Sequence, residues 1–91
     1  MCIHPIGNFS NAILGGKERE LVYSLPSFMK TGILALSKLN SLKDFEISLE
    51  ATHHGPYLEK PCMFIEIGSS ENEWKNEEAG KIIAETILKI S

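Results

Sequence analysis

The groups in this chain best suited to chemistry are the adjacent histidines His53 and His54, followed at once by Gly55-Pro56, and the carboxylate of Glu66 within the apolar run Phe64-Ile65-Glu66-Ile67. Imidazoles hold metals or move protons near neutral pH, and a carboxylate can do either. Strand ends keep such side chains rigid yet reachable. In extended backbone His53 and His54 point to opposite sides, so the expectation is that at most one faces a shared site. Gly55-Pro56 turns the chain and holds the pair at a strand's lip. Alternation puts Glu66 on a face that should be covered, where an ionised carboxylate needs a cation, a metal or several donors. A structural partner and an active-site role are both open for it.

His4 precedes Pro5 at the mouth of a loop carrying Gly7, Asn8, Asn11, Gly15 and Gly16. Asn8 offers both a donor and an acceptor. Histidine, carboxylate and water suffice for metal-assisted or general-base hydrolysis, although the spacing is not a diagnostic zinc signature. Gly15-Gly16 matches neither the phosphate loop nor the dinucleotide fingerprint and reads as a flexible turn. Ser10, Ser69 and Ser70 lack the GxSxG elbow of a nucleophile, and Ser70 is better explained as a helix cap. Cys2 and Cys62 have no CxxC or CxxH spacing, so no structural zinc is announced; Cys62 is expected in the core and Trp74 as a core or staple residue.

The elements that must position these groups follow from periodicity. Met1 to His4 ends a strand before Pro5. From Pro26 to Leu39, Phe28, Met29, Ile33, Leu36 and Leu39 recur at helical spacing, with Ser24 or Ser27 as cap and Asn40-Ser41 as terminator. Phe45, Ile47, Leu49 and Ala51 alternate with polar residues and predict a half-buried strand. Cys62 to Ile67 is apolar on both faces and predicts a central strand with layers above and below. Ser70 and Glu73 fit a capping box, Asn76 caps a further start, and Ala79, Ile82, Ile83, Ile87 and Ile90 mark a final helical stripe. Gly80 within that stripe predicts close approach to another backbone. The order is loop, helix, strand, strand, helix: an α/β arrangement in one domain spanning residues 1–91.

A chain of 91 residues buries only about 60–65% of the surface its unfolded form exposes, so the core is thin. Hydrophobic residues at 43% and charged residues at 23% are ordinary globular values and argue against disorder. The net charge of −3, with Arg19 the one arginine, argues against a broad nucleic-acid footprint, leaving a weak basic bias in the first half. Without a basic-then-apolar leader or a long apolar run, the expectation is a soluble, cytoplasmic protein with no membrane partner and no disulfide.

Together, His4-Pro5-Ile6-Gly7-Asn8, Gly15-Gly16, Glu50-Ala51-Thr52-His53-His54-Gly55-Pro56 and the stretch from Phe64 to Trp74 resemble the archaeal and plant type of D-aminoacyl-tRNA deacylase. The resemblance implies hydrolysis of the ester joining a D-amino acid to tRNA, with zinc as cofactor. It implies a three-layer, phosphorylase/hydrolase-like mixed sheet, here a partial β-α-β-β-α segment. On this reading His53, His54 and Glu66 are catalytic, His4, His54 and Glu66 bind metal, and Gly7, Asn8 and Gly55 bind D-aminoacyl-tRNA. Family members are longer, so the expectation is a fragment of a deacylase domain whose exposed sheet edges invite self-association. The alternative is a non-catalytic tRNA-binding or interaction module.

Overall fold

The computed structural model describes residues 1–68 and 70–91; Ser69 lies outside the described residues. In chain order the elements are β1 (Cys2–His4), α1 (Pro26–Leu39), β2 (Ser48–Leu49), β3 (Phe64–Glu66), α2 (Glu71–Trp74) and α3 (Glu77–Ile90). The three strands form one mixed sheet in the order β2-β1-β3. β1 runs parallel to β2, with Cys2 opposite Ser48, and antiparallel to β3, with Cys2 opposite Glu66 and His4 opposite Phe64. The chain is thus α/β, with the expected order of helix and strands preceded by β1 and interrupted by the short α2.

Alternation along β1 divides the molecule. Ile3, fully buried, points to one face and joins Met1, Leu36, Ala79 and Ile82 in the core. Burying an isoleucine contributes about 1.5–3 kcal/mol, so this small cluster matters greatly in a thin core. α1 and α3 pack on each other and α1 packs on β1. The close approach falls at Gly32 of α1, where a Cβ would lie 2.5 Å from Ile3 Cδ1 and 3.1 Å from Ile90 Cδ1. Gly80 has nothing within 4 Å of the equivalent position, so the expected contact there is not made. Thr86, buried and donating to the Ile82 carbonyl at 2.8 Å, completes the inner face of α3, while Ile87 and, on α1, Phe28 are exposed.

Several local expectations change. Neither Ser24 nor Ser27 caps α1: Leu25 holds the N-cap position without a side-chain bond, and Pro26 at the first turn has no amide hydrogen to satisfy. Asn76 does cap α3, accepting from the Ala79 amide at 2.9 Å, a bond worth about 1 kcal/mol. Ser70 begins α2, but its hydroxyl bonds the Glu73 carboxylate rather than an amide, so the reciprocal box is not formed. Trp74 is 61% exposed, its indole N–H donating to the Gly68 carbonyl, and is not core.

The half-buried strand expected from Phe45 shortens to Ser48–Leu49. Phe45 and Ile47 reach the core, but Leu49 is 60% exposed at the sheet margin. β1, not β3, is the middle strand of the described residues. The apolar character of the third strand has a different cause: Met63, Ile65 and Ile67 face the core, whereas Phe64 lies on the opposite face among the histidines and Cys62 is half-buried. No described helix is long and apolar enough to cross a membrane.

Candidate functional site

The face of β1 opposite the helices carries Cys2 and His4. Strand pairing adds Phe64 and Glu66 beside them from β3, because residues directly opposite in a sheet share a face. On the other flank the parallel pairing resumes after β2 as a bridge between Ile6 and His53, and the Gly7 amide donates to the His54 carbonyl at 2.8 Å. These backbone contacts bring the 50–55 segment alongside residues 4–7.

The expectation that His53 and His54 diverge is overturned. His54 adopts a left-handed backbone, φ 45°, which breaks the extended alternation and turns its ring back toward its neighbour. Such a conformation costs of order 1–3 kcal/mol in a residue other than glycine and persists only where surrounding contacts determine it. The rings of His53 and His54 meet edge to face at 4.6 Å, His4 stacks on His53 at 4.0 Å, and His4 meets His54 edge to face at 4.7 Å. Phe64 closes the cluster against His54 at 4.7 Å.

Each imidazole is oriented by the same device. Nδ1 lies 2.6 Å from the Pro5 carbonyl in His4, 2.6 Å from the Ala51 carbonyl in His53 and 2.5 Å from the Gly55 carbonyl in His54. A carbonyl only accepts, so Nδ1 carries the proton and donates; the neutral ring then presents an unprotonated Nε2. Metal-ligating histidines are commonly fixed in this way. His4 is fully buried and its Nε2 has no hydrogen-bond partner among the described residues, lying 3.7 Å from Glu66 Oε1. A buried lone pair left facing a carboxylate calls for a cation or proton between them.

Two overlapping donor sets satisfy that requirement. His4, His53 and His54 form one; His4, Glu50, His53 and Glu66 form the other, with the ligand atoms of each set within 4.8 Å of one another. Glu66 is about a third exposed, not enclosed as alternation suggested. Its partners are Cys2, whose thiol donates to Glu66 Oε1 at 3.2 Å and to Glu50 Oε1 at 3.0 Å, and His4. Burial, then the bonds and charges of Glu50 and Glu66, push the Cys2 thiol far above its ordinary range. The Cys2 hydrogen bond, aided by His53 and His4, holds the Glu50 carboxyl below its ordinary value.

The proposed substrate residues lie in the adjoining loop. Asn8 spends its amide hydrogens on the Gly15 and Lys17 carbonyls at 2.9 and 3.2 Å. Gly7, φ 140°, lies against Leu21, where a Cβ would come 2.7 Å from the Leu21 Cα. Gly55 packs directly on Gly15-Gly16: a Cβ on Gly55 would lie 2.3 Å from the Gly16 nitrogen, and one on Gly16 would lie 3.1 Å from the Gly55 Cα. These three residues therefore lock the loop onto the histidine segment. Sequence reasoning missed Cys2, Glu50 and Phe64; same-face alternation with His4 and Glu66 was the available signal for the first and last.

A profile described as D-aminoacyl-tRNA deacylase matches residues 1–91, and this chain belongs to that family. Among curated relatives named D-aminoacyl-tRNA deacylase, that of Pyrococcus horikoshii is 51% identical over 88 residues, covering 96% of this chain and 32% of the relative. That of Archaeoglobus fulgidus is 44% identical over 88 residues, 94% of this chain and 32% of the relative. That of Methanosarcina acetivorans is 41% identical over 95 residues, spanning 100% of this chain and 32% of the relative. The chain therefore spans about a third of the length of these relatives.

Proposed function

We propose that this chain carries the hydrolytic centre of a D-aminoacyl-tRNA deacylase, releasing a D-amino acid from tRNA by ester hydrolysis in the cytoplasm. The observation that carries the reading is the convergence of three Nδ1-anchored imidazoles and two carboxylates on one face of the sheet. An aminoacyl ester is intrinsically labile, so placing a water and accepting its proton suffice, and no side-chain nucleophile is needed.

His53, His54 and Glu66 are the groups that hold the water and take its proton as its oxygen bonds to the ester carbonyl carbon. The ribose oxygen then leaves with a proton returned to it. His4, His54 and Glu66, joined by His53 and Glu50, are the residues that would hold zinc, whose chemistry there is to polarise the carbonyl and acidify the water. Gly7, Asn8 and Gly55 serve substrate binding by fixing the loop beside the centre. A three-layer phosphorylase/hydrolase-like architecture is the fold proposed for this sheet; α1 and α3 on one face support one of its outer layers.

The second reading is a non-catalytic tRNA-binding or interaction module. Matched D- and L-aminoacyl-tRNA separate the two. Deacylation selective for the D form, lost in His54→Ala and Glu66→Gln, is expected; binding without turnover points to the module. Equal activity of wild type and both variants overturns the site.

A further inference from the structure

Cys2 stands on the middle strand between the two carboxylates of the site. It pairs directly with Glu66 of β3 and, on the other side, with Ser48 of β2, two residues before Glu50, so alternation sets all three side chains on the histidine-bearing face. The buried thiol donates to Glu50 Oε1 at 3.0 Å and to Glu66 Oε1 at 3.2 Å. One proton is thus shared by carboxylates that reach the site from opposite flanks of the sheet. Among the described residues neither carboxylate is paired with a lysine or arginine, and no backbone amide is bonded to that of Glu50, which is solvent-exposed. Like charges repel, and a flexible side chain without another tie regains its rotamer freedom by swinging into water.

Resting on the deacylase reading and its metal residues, we propose that Cys2 is a positioning residue, whose thiol holds the Glu50 carboxylate beside Glu66, His4 and His53 and so assembles the mixed carboxylate–imidazole donor set. A separate observation supports it. The Glu66 oxygen that accepts from the thiol is the one that His4 Nε2, fully buried and without a hydrogen-bond partner, faces at 3.7 Å. Cys2 itself belongs to neither donor set, so it acts through the carboxylates and not on the ion. Without the thiol, Glu50 is released and the set made of His4, His53 and His54 alone remains. Partners that orient ligands in this way typically change metal affinity about ten- to a hundredfold.

The test is a double-mutant cycle on zinc affinity, measured by calorimetry for Cys2→Ala, Cys2→Ser, Glu50→Gln and the Cys2→Ala/Glu50→Gln pair. Cys2→Ala is expected to weaken zinc about tenfold, and the pair to bind no worse than Glu50→Gln alone. Cys2→Ser, whose hydroxyl donates to the same carboxylates, retains most of the affinity. In the metal-free protein the side-chain carboxylate carbon of Glu50 should shift in Cys2→Ala and return in Cys2→Ser. Additive losses, an unshifted Glu50, or serine as damaging as alanine overturns the role. Cobalt in place of zinc should show no thiolate charge-transfer band; such a band makes Cys2 a ligand and overturns it too. Coupled zinc loss in a protein that does not deacylate D-aminoacyl-tRNA overturns the enzyme but keeps the positioning role. Deacylation with additive losses does the reverse.

Discussion

The imidazole of His4 stacks on that of His53 with centroids 4.0 Å apart and planes 24° from parallel. Two residues separated by 49 positions are thereby set face to face, one from the middle strand and one from a segment bridged to Ile6. With Nδ1 of each ring committed to a backbone carbonyl, the stack leaves both Nε2 atoms for one ion, and both residues belong to each donor set.

Zinc titrated into the wild-type chain is expected to bind with His4 and His53 as shared ligands of both donor sets. His4→Ala or His53→Ala should weaken it by about a hundredfold or more, exceeding the usual effect of removing an orienting partner. Calorimetry measures the affinity. Nitrogen chemical shifts should move at Nε2 and not at Nδ1, which is committed to a carbonyl; unchanged shifts at all three rings would remove the metal from this cluster.

Cys2 and Glu50 make opposite predictions for pH. The thiol is raised from its ordinary 9.0, so its contribution to stability is full below about pH 9 and is lost as the pH climbs above it. The Glu50 carboxyl is lowered from 4.5, so its contribution is present above that value and is lost as the pH falls through the lower folded one. Urea midpoints in Cys2→Ala should decline less steeply than wild type on the alkaline side. Glu50→Gln should flatten the acid side, by a small amount because Glu50 faces solvent.

Two helical glycines should respond to alanine with opposite signs. At Gly32 the added methyl meets Ile3 and Ile90, and overpacking of about 1–3 kcal/mol exceeds the roughly 1 kcal/mol gain in helix propensity. At Gly80 the space is open, so the propensity gain of about 1 kcal/mol stands alone. Denaturant midpoints decide, and destabilisation of both variants to the same extent would contradict the packing described.

Gly55→Ala tests the lock between loop and site. The new Cβ would overlap backbone atoms of Gly15 and Gly16, which cannot swing aside as a side chain can. A cost of about 3 kcal/mol is expected, concentrated on the loop. Hydrogen exchange should accelerate at the Gly7 and Gly55 amides, which donate to His54 and Leu14, while α3 retains its protection.

Periodicity revealed the elements whose burial is one-sided and long. The residues of α1 and α3 repeat at three and four over fourteen residues each, and Asn76 marked the second start correctly. Shorter segments misled, because three residues of β3 cannot distinguish a strand covered on both faces from one whose Phe64 is gathered into a histidine cluster. The functional motifs were visible as residue types, but their geometry was not. Whether His53 and His54 meet depends on one positive φ at a non-glycine residue, a conformation that composition does not advertise. Cys2 escaped notice because its role arises from Glu50 and Glu66, 48 and 64 positions away.

In β1 a single three-residue strand serves two masters, with Ile3 turned toward the helices and its neighbours Cys2 and His4 toward the reactive side. Shifting its pairing by one position would put an aliphatic chain among the imidazoles and an imidazole into the oil. Inserting or deleting one residue here would therefore disable chemistry and folding in the same stroke.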